Sequence, residues 1–232
     1  MEARSLAAET SDEMPERKRL QAARLYLITG LAPARMDLLE MVSRALDGGV
    51  DVVQLREKAA EAAPLLRALA ELRRLTEARG ALLIVNDRLD LGLASGADGV
   101  HLGQKDLPVQ AAREQAGPDI LIGLSTHSER EFRGAPHQAD YLGVGPVFST
   151  PTKPGRPPVG SDLVRFAAAQ EAEKPFFAIG GIDLDTLPSV IDAGAARVAV
   201  LRAIADSDEP DVVARKMRKM LDSAPRRRGV IA

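Results

Sequence analysis

GADGVHL, residues 96–102, decides the fold, because it is one of four copies of a single local signal. GGVDVV at 48–53, QADYLGV at 138–144 and GAARVAV at 194–200 share its pattern. Each copy ends a helix with a turn and starts an apolar strand. In three of them a glycine suits the helix C-terminus. Further runs rich in Val, Ile and Leu lie outward from these copies, so that eight stand at 25–29, 52–56, 82–85, 99–102, 121–125, 141–147, 176–179 and 198–201. Runs this short, bounded by Gly or Pro, predict strands buried on both faces, as in parallel sheets. The segments between them have helical spacing. Residues 61–79 put Leu65, Leu66, Leu69, Leu72 and Leu75 on one stripe, and 183–193 do the same with Leu184, Leu187, Val190 and Ile191 behind Asp183 as a cap.

Strand and helix alternate with no Pro/Ser/Gly-rich linker, and helical crossovers force neighbouring strands to be parallel. Eight such units predict a single (β/α)8 barrel, a TIM barrel, over 24–222, with a polar tail at 1–23 and a basic tail at 223–232. An open doubly wound sheet would carry G-x-G-x-x-G after its first strand; here Thr29-Gly30 is followed by Leu-Ala-Pro.

Composition narrows the function classes. The 232 residues hold 31 Lys plus Arg against 33 Asp plus Glu, no Trp and two Tyr, so neither a basic excess nor stacking equipment points to nucleic acid. The absence of cysteine excludes disulfides, thiolate metal sites and Cys nucleophiles, and fits a cytoplasmic protein. No run in 1–23 has the apolar core of a secretory signal, and none in the chain approaches the ~20 apolar residues that cross a bilayer. The triple arginine at 226–228 reads as a solvated terminus rather than a ligand site. The partners expected are small molecules, not nucleic acid or membrane, and a homo-oligomer is left open.

Chemistry in such a barrel lies where the strands end. After the second strand, Gln54, Arg56 and Lys58 share one face. If Val52 packs inside, that face points into the mouth, where two cations are costly without an anion. Asp87 after the third strand and Asp106 after the fourth fall within reach of one another. They read either as a Mg2+ pair or as caps of the next helices. Ser125 with His127 two residues on lacks a third member and reads as polar lining, not a nucleophile; His101 and His137 read as structural or exposed. The loop 145–160 carries Thr150, Thr152 and Lys153, all suited to phosphate oxygens. Gly180-Gly181 and the backbone near Leu201 and Arg202 match the phosphate site that barrels build after strands seven and eight. Anion binders on two sides with a metal pair between suggest a transferase acting on two phosphorylated substrates.

At these residues the chain resembles the thiamine-phosphate synthase family, through QLREK (54–58), Asn86-Asp87, HLGQKD (101–106), GLSTHS (123–128), GVGPVFSTPTKPG (143–155) and AIGGI (178–182). The resemblance implies a (β/α)8 barrel that joins 4-amino-2-methyl-5-(diphosphooxymethyl)pyrimidine to a (carboxy)thiazole phosphate. Diphosphate departs before the thiazole nitrogen attacks, and CO2 leaves from the carboxylated substrate. It also implies that Gln54, Leu55, Arg56, Glu57, Lys58, Asn86, Ser125 and Lys153 hold the pyrimidine diphosphate, with Arg56, Lys58 and Lys153 acting electrostatically. Asp87 and Asp106 would ligate one Mg2+. Thr150, Pro151, Thr152, Gly181, Leu201 and Arg202 would hold the thiazole phosphate. Arg202 stands where the family usually has Ser. The related thiazole tautomerase lacks the carboxylate pair but resembles the chain around Ser125–His127. A non-catalytic barrel that binds thiamine precursors is the other alternative.

Overall fold

The computed structural model describes residues 15–150, 157–170 and 174–224. Eight strands, β1 (Leu25–Thr29), β2 (Val52–Leu55), β3 (Leu82–Asn86), β4 (Gly99–Leu102), β5 (Leu121–Thr126), β6 (Tyr141–Val144), β7 (Phe176–Ile179) and β8 (Val198–Val200), pair in sequence order. All pairs are parallel, and β8 returns to β1, which closes the barrel. The first half of the outer shell is α1 (Pro15–Ala22), α2 (Leu38–Asp47), α3 (Ala62–Glu77), α4 (Leu89–Ser95) and α5 (Val109–Ala116). The second is α6 (Glu129–Arg133), α7 (Gly160–Ala169), α8 (Leu187–Asp192), α9 (Arg202–Ala205) and α10 (Pro210–Ser223). Among the described residues no helix is long and apolar enough to cross a membrane.

Alternation along the strands splits the apolar residues into two cores. Leu27, Val53, Leu55, Leu83, Val85, Val100 and Leu142 face outward and pack with helix residues such as Leu65, Leu69 and Leu72 of α3. Tyr26, Ile28, Val52, Leu82, Ile84, Leu121, Tyr141, Phe177 and Ala199 face inward and fill the barrel interior. Truncating a fully buried residue such as Leu72 to Ala costs roughly 2–5 kcal/mol. Glycines make room for the inner aromatics. A Cβ on Gly99 would meet Leu121 O at 2.5 Å, and one on Gly123 would collide with Tyr141 and His101.

The expected boundaries shift in three places. Residues 15–22, expected in a polar tail, form α1, whose Leu20 joins the inner core at 2% exposure and caps its lower end. One apolar residue among many charged ones was too thin a pattern to mark a helix. Strand β6 stops at Val144, before Gly145-Pro146, because Pro146 has no N–H for the ladder. Helix α8 begins at Leu187 rather than near Asp183; Asp183 Oδ1 instead takes the N–H groups of Asp185 and Thr186 in a preceding turn.

At the N-terminal face, the residue before each of β2, β4 and β6 is an aspartate that ties the preceding odd strand. Asp51 Oδ2 accepts from Arg24 N and Leu25 N, and its Oδ1 pairs with Arg218 at 2.7 Å. Asp98 Oδ2 accepts from Leu83 N at 2.7 Å and pairs with Arg73 at 2.8 Å, while Oδ1 meets Arg19 at 3.3 Å. Asp140 Oδ2 accepts from Ile122 N and from Arg113, and Oδ1 takes Arg17 at 2.9 Å. Arg197 occupies the fourth of these places and donates to Gln21 O instead.

Candidate active site

The C-terminal mouth opens on a cavity of about 400 Å³. Because Val52 is inward, Gln54 is too. It is 2% exposed, lines the cavity, and donates from Nε2 to Tyr26 Oη at 2.6 Å. Arg56 lies just past the ladder, held by its N–H on Thr29 O. Its half-buried side chain lines the cavity with no ion pair among the described residues. Lys58 Nζ reaches Asp87 Oδ2 at 3.3 Å. Two expectations from the QLREK stretch change, since odd positions point the other way. Leu55 belongs to the outer core, and Glu57 accepts from Lys58 N; neither Glu57 nor Lys58 is part of the cavity lining.

Asn86 lines the cavity, and the next residue carries the one positive φ among described non-glycine residues, Asp87 at 61°. That conformation is costly for a residue with a Cβ. It is held by Asp87 N on His101 O at 2.9 Å and by Arg88 N on Asn86 O at 2.7 Å. The turn aims the Asp87 carboxyl at Asp106. Burial pushes its pKa up, the hydrogen bond and charge of Asp106 push it further, and Lys58 opposes both. Asp106 does not cap α5, whose N-cap is Pro108; its Oδ2 turns back to accept from Gly103 N at 2.7 Å. Nor does Asp87 cap α4, whose N-cap is Arg88. Neither carboxylate caps the helix that follows it, and the two face one another.

Across the mouth, Gly180 and Gly181 sit at φ 105° and 67° beside Thr150, Leu201 and Arg202. A Cβ on Gly180 would meet Pro146 at 2.5 Å, and one on Gly181 would meet Phe148 Cβ at 2.7 Å, so both positions require glycine. Val147 N on Ile179 O and Phe148 N on Gly180 O tie the start of the long loop to β7. Arg202 is exposed and forms no ion pair among the described residues. Pro151, Thr152 and Lys153 lie outside the described residues, as do the arginines at 226–228.

Ser125 pairs with His101, not with His127. His101 Nε2 lies 2.9 Å from Ser125 Oγ, whereas His127 Nδ1 bonds the Gly145 carbonyl. Three groups escaped the sequence reading, although all line the cavity: Tyr26, Tyr141 and His101 as an inward residue. Strand parity would have found them. Tyr26 stands opposite Val52, and Gly123 stands opposite both His101 and Tyr141, so all three fall on the inner face. A hydroxyl there must find a partner.

The family model described as thiamine monophosphate synthase matches residues 25–204. The chain is 49% identical over 215 residues to a thiamine-phosphate synthase of Streptomyces avermitilis, covering 91% of this chain and 100% of that protein. It is 55% identical over 195 residues to one of Gloeobacter violaceus, covering 84% of this chain but only 56% of that longer protein. Among solved structures, thiamine phosphate pyrophosphorylase from Pyrococcus furiosus superimposes with a TM-score of 0.79 at 33% identity, over 90% of this chain and 98% of that one. A barrel closed in the same way, matched along nearly all its length by such relatives, leaves no other assignment: the chain belongs to the thiamine monophosphate synthase family.

Proposed function

We propose that this mouth joins 4-amino-2-methyl-5-(diphosphooxymethyl)pyrimidine to a (carboxy)thiazole phosphate, giving thiamine phosphate and diphosphate, with CO2 from the carboxylated substrate. The observation that carries the reading is the facing pair Asp87 and Asp106 beside Lys58, next in the chain to Asn86, which with Arg56 lines the cavity. Those residues suit a divalent cation such as Mg2+. Two hard oxygen donors are pressed together against their mutual repulsion, and no group of three or more ligating side chains exists among the described residues. Mg2+ takes one or two carboxylates and completes its shell with water and phosphate oxygens. When bound, such an ion neutralises charge on the departing diphosphate.

The chain's own residues do the rest. In the reaction the methylene C–O bond breaks with its electron pair leaving on diphosphate, and a C–N bond forms from the thiazole nitrogen lone pair. Arg56 and Lys58, with Lys153 from the loop, stabilise the growing negative charge. Gln54, Asn86 and Ser125 orient the pyrimidine diphosphate, while Thr150, Thr152, Gly181 and Arg202 hold the second phosphate, so the two reactants meet in line. No protein nucleophile is needed. Both substrates are phosphorylated small molecules, which do not cross a bilayer unaided, so the reading includes a cytoplasmic location.

The relatives favour this synthase over a thiazole tautomerase or an idle binding barrel. Purified protein given both substrates and Mg2+ is expected to release thiamine phosphate and diphosphate in equal amounts. Binding of both substrates without product would instead favour the idle barrel, and Mg2+-independent isomerisation of the thiazole would favour the tautomerase.

A further inference from the structure

Four hydrogen bonds run in series through the upper barrel. Gln54 Nε2 donates to Tyr26 Oη at 2.6 Å, and Tyr26 Oη lies 3.0 Å from Tyr141 Oη. Tyr141 Oη lies 3.2 Å from His101 Nδ1, and His101 Nε2 lies 2.9 Å from Ser125 Oγ. Both phenols are fully buried, and burial raises their pKa values so that they stay neutral.

A series of neutral groups has a direction, because each hydroxyl passes on one hydrogen. With the Gln54 amide donating, Tyr26 gives its hydrogen to Tyr141 and Tyr141 gives its own to Nδ1 of His101. His101 then carries its proton on Nε2 and donates to Ser125. The Ser125 hydrogen is thereby left for the cavity as a donor, and Gln54 Oε1 is left as an acceptor. Neither has another partner among the described residues. In the opposite direction Ser125 spends its hydrogen on His101 and turns a lone pair to the cavity, while Gln54 offers its NH2. An anion drawn in by Arg56 repels that lone pair and selects the first direction.

We infer that Tyr26, Tyr141 and His101 are positioning residues that couple the anion-holding Ser125 to Gln54, so that a site holding diphosphate presents an acceptor to the ring and selects an amino-bearing heterocycle. The inference rests on the function proposed above and adds to it the means by which one substrate's two ends are read together. The alternative is that the rings only fill space: Tyr26 packs edge-on to Phe177 at 5.2 Å and 90°, and Tyr141 does so at 5.8 Å and 82°.

Tyr26→Phe separates the two, since it keeps the ring and its packing but removes the link between Gln54 and Tyr141. The experiment measures, without the thiazole phosphate, the dissociation constant of the 4-aminopyrimidine diphosphate and of its analogue with hydrogen in place of the amino group, because the amino group also assists the ionisation and would bias any rate. Wild type is expected to prefer the amino substrate by at least about tenfold, because a site built to accept a hydrogen bond rejects the analogue that cannot give one. Tyr26→Phe and Tyr141→Phe should each reduce that preference to about threefold or less, mainly by weakening binding of the amino compound, with little change in the dissociation constant of the analogue. His101→Gln, whose amide can accept from Tyr141 and donate to Ser125, should retain more of the preference than His101→Leu. Full preference in both phenylalanine variants overturns the inference, whatever happens to their melting midpoints. A wild type that binds both compounds equally overturns it while the synthase reading stands; a wild type that binds neither removes both.

Discussion

The two ends of the barrel treat carboxylates in opposite ways. At the N-terminal face Asp51, Asp98 and Asp140 each meet at least one arginine and a backbone N–H of a neighbouring strand. At the mouth Asp87 meets another carboxylate, takes only Lys58 as a counter-charge among the described residues, and stands on a left-handed backbone. Arg56 and Arg202 wait there without an ion pair among the described residues. Charges at the first end are satisfied by the chain itself and hold strands in register. Charges at the second are less fully answered by the described residues, and on the function proposed above a ligand would satisfy them, which is how a barrel keeps stability and chemistry apart.

The strongest way to break that contrast is Asp87→Asn. It removes a charge from the rim with almost no change in volume, so kcat should fall by about 10³ or more, on the order of 4 kcal/mol in the barrier. The thermal midpoint should not fall, because a repelling charge goes with it. Rates near wild type would show that the rim pair does not serve the reaction. Next in size is Asp98→Ala at the other end. Its side chain is 2% exposed, and removing it strands Arg73 and the Leu83 N–H, so roughly 3–5 kcal/mol of stability should be lost in denaturant unfolding. The kcat of the protein that remains folded should stay within about twofold. A fall in kcat matching that of Asp87→Asn would end the division between the two faces.

How much of this was legible beforehand follows the same division. The eight strands and the stripe of α3 could be read because periods of 2.0 and 3.6 survive in any buried element. Val52 inward implied Gln54 inward, and that alone placed one wall of the cavity. The arginine clamps were half visible: aspartate stands before the strand in three of the four repeats, at 51, 98 and 140, but the arginines that answer it come from distant helices. Helix α1 was invisible, because Leu20 is its one buried residue and its other contacts are made by arginines that a sequence pattern does not place. Leu55 and Glu57 were misplaced because a motif names consecutive residues, whereas a strand sends alternate ones to opposite faces. Whether Asp87 caps a helix or faces Asp106 depends on a positive φ that no side-chain pattern announces.

The Asp87 carboxyl also sharpens the comparison through pH. Its pKa is raised in the folded protein, by burial first and by Asp106 second. An acid with a raised native pKa favours folding only while protonated, so it weighs against stability at neutral pH and ceases to do so below about pH 4. Asp87→Asn lacks this burden at every pH. In the absence of divalent ions its stability advantage over wild type should therefore be largest near pH 7 and shrink on acidification, as followed by melting midpoints from pH 7 to pH 4. An advantage that grows toward acid would mean that Lys58 outweighs Asp106, and the mouth would then resemble the other end.

Arg202 gives the smallest and most local test. It is exposed beside Gly180-Gly181 and takes no ion pair among the described residues, so its replacement should leave the fold untouched. If it meets the thiazole phosphate, Arg202→Ser should raise KM for that substrate by about threefold to tenfold, a fraction of what a buried charged hydrogen bond is worth because water screens an exposed guanidinium. The KM for the pyrimidine diphosphate, held across the cavity, should not move, and the defect should shrink as salt rises. An equal rise in both KM values would mean that Arg202 steers anions toward the mouth without choosing between them. No change in either would make it a solvated residue at a strand end, and the second phosphate would then rest on Thr150, the two glycines and the loop.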